Sequence, residues 1–282
     1  MRYLYGSILA LFFLSSCVQK EEGPKEWVLK KTVTLDGINP IGIAILQDTL
    51  WLSDGDHNRV VQINSEGKVL KSIDSLDRPM HIDAQSKDLF IPQYGNDLVL
   101  KQSSDQYPQS LYDSSKDSLE APAGVSVYKK ELAIADFYNN RILYYNGNDW
   151  ISFGKEGKAS GYFYYPTDVQ ITEDKIWVAD AYNNRVQVFD KNGVFLQKMG
   201  EDQKMNAATG IYVSESEVLV TDFENNRVLV FDHDGQLKQT LTKEIDKPTD
   251  MIIKNEILYI LNYRKGIISQ YELEEIVATT NE

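Results

Sequence analysis

The chain reads as all-β and repetitive, and three observations say so: a short motif that recurs four times, apolar runs of strand length around it, and no sustained 3.6-residue period outside the Glu-rich end after Leu273. The motif copies are Asp54-Gly-Asp-His-Asn58-Arg59, Asp136-Phe-Tyr-Asn-Asn140-Arg141, Asp180-Ala-Tyr-Asn-Asn184-Arg185 and Asp222-Phe-Glu-Asn-Asn226-Arg227. Their Asp residues are 82, 44 and 42 positions apart, and the first gap has room for one degenerate copy. A period in the low forties built from strand–turn–strand units is the signature of propeller blades. Pro40, Pro122, Pro166 and Ala208 each stand fourteen positions before those Asp residues, and Pro79 and Pro248 stand at the same distance before Gln93 and Asn262. Six units therefore open near residues 40, 79, 122, 166, 208 and 248. The expected fold is a six-bladed β-propeller with four-stranded antiparallel blades, in which units two and six have lost the Asp and the Asn-Arg pair.

Each element has its own justification. Leu132–Asp136, Ile176–Asp180 and Val218–Asp222 are nearly continuous apolar runs, as expected of strands covered on both faces. The strands that follow, such as Val186–Phe189 and Val228–Phe231, lead into Asp190-Lys-Asn-Gly193 and Asp232-His-Asp-Gly235. These are hairpin turns with Gly where φ must be positive. The sixth unit ends at Tyr271 without a fourth strand, and Trp27–Leu35 precedes the first unit with the pattern of an outer strand. Trp27–Leu35 is therefore expected to close the ring as the outer strand of blade six, leaving no open edge. Residues 17–26 are then a tether, 27–273 the propeller and 274–282 a tail. The Ser- and Asp-rich stretch from Lys101 to Glu120 is expected to be a loop or broken strand in blade two.

The repeated polar residues have a structural reading. Asp at a strand end can accept N–H bonds from the turn that follows, Asn tolerates the left-handed conformation, and Arg can return a fork of donors to the carboxylate. Asp54 with Arg59, Asp136 with Arg141, Asp180 with Arg185 and Asp222 with Arg227 are thus expected to hold blades together. Function is sought where the chain departs from its own repeat.

The run from Pro166 to Leu196, with Ile176-Trp-Val-Ala-Asp180 and Asn184-Arg185-Val-Gln-Val-Phe-Asp190 at its centre, resembles an NHL repeat. The resemblance extends over roughly residues 39–273 and is strongest in units three to five. It implies six blades, in agreement with the count. Proteins of that family include scaffolds and binding modules, and related propellers include lactonases and lyases, so the resemblance leaves function open.

At the N-terminus, Arg2 precedes an apolar core from Leu4 to Leu14 that is too short to span a bilayer. It runs into Leu14-Ser-Ser-Cys17, which resembles the lipobox of bacterial lipoproteins. Residues 1–16 are expected to be a lipoprotein signal peptide and Cys17 the lipidated residue, anchoring the chain in the outer membrane. Lys20-Glu21-Glu22 resembles the surface-export signal of Bacteroidota lipoproteins. Cys17 is the only cysteine, which excludes an internal disulfide and thiol catalysis elsewhere in the chain. A net charge of −13 without a basic stripe argues against nucleic acid, whose binding depends on phosphate neutralisation.

Two departures from the repeat are candidate sites. Tyr94, Phe137, Tyr138, Tyr182, Phe223 and Tyr263 fall on turns that emerge on one face, with Tyr162, Tyr164 and Tyr165 nearby. Rings with polar tips suit a protein, peptide or glycan ligand, and Tyr138 and Tyr182 occupy the same loop position in neighbouring blades. The second departure lies two residues after each anchor, where the ring reads Gly42, His81, Gly124, Asp168, Gly210, Asp250. His81, Asp168 and Asp250 fall on alternate blades at the channel mouth, where they are able to hold a divalent cation or act as acid and base. Otherwise no cofactor is expected. His57 and His233 lie in separate turns and do not assemble a three-His metal site, and Asp232-His-Asp-Gly235 is a turn rather than a calcium loop. The reading is a monomeric, membrane-anchored, non-catalytic binding platform. The alternative is a lactonase-like hydrolase or lyase at the channel mouth.

Overall fold

The computed structural model describes residues 23–103, 109–112 and 118–276. Six four-stranded antiparallel sheets are arranged as blades, and helical structure among the described residues is limited to three 3-10 turns. Blade one comprises Ile43–Leu46, Thr49–Asp54, Arg59–Ile63 and Val69–Ile73, and blade two Asp83–Gln85, Asp88–Gln93, Leu98–Ser103 and Gln109–Ser110. Blades three, four and five open on the inner strands Pro122–Tyr128, Pro166–Ile171 and Ala208–Val213. Blade six comprises Pro248–Lys254, Ile257–Asn262 and Ile267–Glu275, and its outer strand is Lys25–Thr34 from the other end of the chain. Trp27 pairs with Leu273 and Val33 with Ile268, so the ring is closed by the N-terminal strand. The closing ladder is longer than the sequence suggested. Lys25 and Glu26 pair with Glu275 and Glu274, so both ends that read as tether and tail contribute to it.

The core is divided among the seams between blades. In the second strand of blade four, Trp177 and Ala179 pack toward blade five while Ile176 and Val178 pack toward blade three. Leu219 and its neighbours Val218 and Val220 divide in the same way between blades six and four. This alternation explains why each second strand is apolar throughout, since both of its faces are interior. Trp27, 4% exposed, fills the seam between blades five and six, with its indole N–H donating to Glu217 at 3.0 Å.

The repeated Asp residues are buried and their Arg partners are in place: Arg59 Nε to Asp54 at 2.9 Å, Arg141 to Asp136 at 2.7 Å, Arg185 to Asp180 at 2.9 Å and Arg227 to Asp222 at 2.6 Å. Their backbone partners differ from expectation. Each carboxylate accepts an N–H from the loop entering its own blade, Asn39, Glu120, Tyr164 or Asn206, rather than from the turn that follows. Units two and six keep this bond through amides, with Gln93 accepting from Asp77 N at 2.7 Å and Asn262 from Asp246 N at 2.8 Å. What the position requires is an acceptor oxygen, and charge is dispensable.

A second clasp links each of blades one to five to the next. Asn58, Asn140, Asn184 and Asn226 adopt φ of 53–56°, and their side-chain oxygens accept the N–H of Arg78, Tyr165, Ala207 and Lys247. Asp97 does the same for Ala121. All five donors stand one residue before a strand anchor and have positive φ, which these non-Gly residues tolerate because the clasp holds them there. The equivalent position in blade six is Gly266, which has no side chain to clasp with, and its carbonyl accepts Leu35 N at 2.8 Å while Asp250 bonds Ile43 N of blade one.

Candidate functional site

The ring of Gly42, His81, Gly124, Asp168, Gly210 and Asp250 alternates for a steric reason. A Cβ on Gly42 would lie 2.5 Å from Met80 O, one on Gly124 2.7 Å from Thr167 O, and one on Gly210 2.4 Å from Thr249 O. The backbones of blades one and two, three and four, and five and six thus meet too closely for a side chain. The other three seams are bridged by side chains or backbone. Asp168 accepts Val169 N through Oδ1 (2.8 Å) and Ile211 N of blade five through Oδ2 (2.9 Å). Asp250 accepts Met251 N through Oδ1 (2.8 Å) and Ile43 N of blade one through Oδ2 (3.0 Å). Between blades two and three the backbone of His81 makes the link, its N–H donating to Ala123 O and its carbonyl accepting from Val125 N.

This arrangement frees the His81 side chain and turns it to the axis. Its Nδ1 lies 3.5 Å from Asp250 Oδ2 and 3.9 Å from Asp168 Oδ2, and the three residues are 3–6% exposed. The sequence placed them at the channel mouth; the structure sets them lower, as a neck between two cavities. Above the neck a cavity of about 220 Å³ is lined by Asp56, Arg78, His81, Thr209, Phe223 and Tyr263. Below it a second of about 240 Å³ is lined by Asp83, Ser126, Asp168, Gln170, Tyr212 and Asp250.

Electrostatics at the neck favour protonated groups. Burial pushes Asp168 up to about 7, with neighbouring His81 opposing and Asp250 reinforcing the shift. For His81, burial disfavours the charged imidazolium, but Asp168 and Asp250 outweigh it and the pKa stands above its ordinary value. Asp83 escaped the sequence reading. Its carboxylate accepts Ala84 N and Val127 N, both at 2.7 Å, and so makes the side-chain bridge from blade two to blade three two residues further along than in blades four and six. Burial drives it up to about 7. The sequence signal was the Asp itself, but the short inner strand of blade two moves it out of the repeat's register.

The aromatic residues separate into two groups. Tyr94, Phe137, Tyr138 and Tyr182 form one cluster with Tyr164 and Tyr165, in which Phe137 stacks on Tyr165 at 4.7 Å and Tyr182 meets Tyr165 edge-on at 5.1 Å. Phe137 is buried and serves as the cluster's floor, whereas Tyr138 and Tyr182 are 45% and 58% exposed. The Tyr94 hydroxyl donates to that of Tyr138 at 2.8 Å, and the Arg78 guanidinium lies 5.1 Å from the Tyr94 ring, joining the cluster to the rim of the upper cavity. Phe223 and Tyr263 stand apart as walls of that cavity. Lys247 lies over Phe223, and the Tyr263 hydroxyl donates to Asp56 at 2.6 Å.

Residues 163–189 match the NHL repeat. No curated protein matches the chain. The structure is similar to that of a gluconolactonase from Xanthomonas campestris, at 14% identity and a TM-score of 0.71 over 91% of this chain and 99% of that one. It is also similar to virginiamycin B lyase from Staphylococcus aureus, at 13% identity and 0.64, covering 88% and 99%. A protein of unknown function from Bacteroides thetaiotaomicron gives 14% and 0.65, covering 90% and 73%. Likeness at these identities carries the fold, while the residues of a site must be argued on their own chemistry.

The remaining sequence candidates have structural roles. His57 Nδ1 pairs with Asp54 at 2.7 Å, and His233 Nε2 meets Ser214 O at 2.9 Å. Asp232 accepts Asp234 N and Gln236 N within a tight hairpin turn, and Gly235 takes φ of 85°. Cys17 and the leader lie outside the described residues, as do residues 104–108 and 113–117 of the stretch from Lys101 to Glu120. Within that stretch Gln109–Ser110 forms the short outer strand of blade two.

Proposed function

We propose that this chain is a membrane-anchored, extracytoplasmic binding platform that takes a peptide or glycan on the face carrying Tyr138 and Tyr182. The observation that carries the reading is the aromatic cluster. Two tyrosines are exposed on a floor of four further rings, held by a hydroxyl–hydroxyl bond, beside a cavity whose rim carries Arg78 and Asp56. Rings held in place in advance offer stacking area at little entropic cost, and their hydroxyls supply hydrogen bonds. The Asp168 and Asp250 carboxylates, by contrast, are buried, each with one oxygen on its own strand and the other joining the next blade.

Anchoring follows from Cys17, whose acylation would supply more than one chain and hold the propeller at a membrane surface. Cell-surface glycans and peptides are the corresponding ligand pool. The test is retention of the soluble domain on immobilised polysaccharides and peptide arrays. Binding by the native chain is expected to drop when Tyr138→Ala and Tyr182→Ala are combined. Undiminished capture would refute the reading.

A second reading has a specific observation in its favour. His81, Asp168 and Asp250 converge at the neck, on a fold shared with a gluconolactonase and a lyase. Under this reading the neck is a hydrolase or lyase site reached through the upper cavity, and Asp168→Asn with Asp250→Asn would abolish turnover while the tyrosine pair mattered little.

A further inference from the structure

His81 Nδ1 is the one buried side-chain polar atom without a hydrogen-bond partner among the described residues. Such an atom loses its hydration with nothing in return if no partner meets it, and folded chains rarely leave one. It is aimed at two carboxylate oxygens, each too far for a good hydrogen bond at 3.5 and 3.9 Å. Those are the Oδ2 atoms of Asp250 and Asp168, and each takes a single backbone N–H. A carboxylate oxygen has two lone-pair directions, so each retains one. The backbone bonds fix the oxygens in position as second-shell partners fix the ligands of a metal. The three donor atoms lie within 4.8 Å of one another.

We propose that His81 Nδ1, Asp168 Oδ2 and Asp250 Oδ2 bind one divalent transition-metal ion at the neck of the channel, tying blades two, four and six together. An ion equidistant from the three atoms would sit about 2.0–2.4 Å from each, the range of metal bonds to imidazole nitrogen and carboxylate oxygen. One imidazole with two carboxylates suits zinc or manganese better than magnesium or calcium, which prefer all-oxygen sets. Two carboxylates and a neutral imidazole balance the dication's charge. Three protein ligands leave coordination positions open, and the cavities above and below the neck have room for water there. This site does not depend on where the aromatic face binds its ligand.

The test uses the soluble domain stripped with chelator and titrated with Zn²⁺ or Mn²⁺, read by calorimetry and by thermal unfolding. One ion per chain and a higher Tm are expected, with His81→Ala reducing affinity at least a hundredfold. A native chain that binds no ion stoichiometrically, or a folded His81→Ala protein of unchanged affinity, overturns the proposal. Should His81→Ala fail to fold, anomalous scattering from crystals of the native chain soaked in Mn²⁺ decides. A peak between the three donor atoms supports the site, and its absence there removes it.

Discussion

Replacing Trp27 by Ala tests whether the N-terminal strand holds the ring closed. The indole is 4% exposed and fills the seam between blades five and six against Leu219, Val230, Leu241 and Tyr271. Its backbone is also clasped by Gln239, which accepts from Trp27 N at 2.8 Å and donates to Trp27 O at 2.9 Å. The substitution keeps the strand and the clasp and removes only the side chain. A buried Trp→Ala change costs about 3–5 kcal/mol, since the cavity adds to the lost transfer energy. Against a net stability of about 5–15 kcal/mol that is a large fraction, and at about 2–4 °C per kcal/mol in a domain of this size the Tm falls by roughly 6–20 °C. Urea unfolding followed by tryptophan fluorescence and circular dichroism gives the difference directly. Leu70→Ala and Val194→Ala, at exposed outer positions, are the controls and should stay within about 0.5 kcal/mol. Removing the strand entirely, with a chain beginning at Asp36, exposes the edge of Ile267–Glu275 and is expected to aggregate. A Trp27→Ala protein as stable as the controls, or a monomeric Asp36 chain of full stability, would refute the closure argument.

Three further outcomes follow from the same contacts. Cys17→Ser should move the protein from the membrane fraction to the soluble one without changing the unfolding curve; retention after a carbonate wash would disprove lipid anchoring. Gly124→Ala places a Cβ 2.7 Å from Thr167 O and 2.8 Å from Asp168 Cα, so an overpacking cost of about 1–3 kcal/mol is expected, and an unchanged Tm would show that this seam yields. Asp83 titrates at about 7 in the folded chain, so between pH 4 and 7 the folded state keeps a proton that the unfolded state releases, and stability falls as pH rises across that window. Asp168 acts in the same direction. Asp83→Asn should make the decline in urea midpoint shallower in metal-free buffer, and an unaltered slope would count against the assignment.

The blade number was legible because packing obeys the repeat: the Asp and the Asn in the left-handed region recur in four units, and the spacing of the anchor recurs in all six. The alternation of Gly with Asp or His was also visible, and its cause is the close approach of paired inner strands. Gln93 and Asn262 looked like losses of the motif because the Asp suggests a charge requirement, whereas the position needs only an oxygen aimed at an N–H sixteen residues upstream. Residues such as Tyr165 and Arg78 give no local sign of positive φ, because the side chain that holds them there belongs to the preceding blade. Aromatic content marked a cluster of rings on one face, but only three-dimensional packing separates Phe137, which supports, from Tyr138 and Tyr182, which protrude. The depth of the neck was likewise invisible. It depends on how far the inner strands of blades two, four and six converge on the axis, and no spacing along the chain encodes that.

The central claim is that ligand is held on the aromatic face, and calorimetry on two double variants tests it most directly. Each stacking contact contributes about 0.5–1.5 kcal/mol beyond area burial, so Tyr138→Ala with Tyr182→Ala should weaken the captured glycan or peptide about tenfold or more. Asp168→Asn with Asp250→Asn should leave its affinity within about twofold, since a tenfold change corresponds to about 1.4 kcal/mol and no contact of that size is removed from the face. The opposite pattern, with affinity lost in the neck variant and kept in the tyrosine variant, would contradict the account and place the working site in the channel.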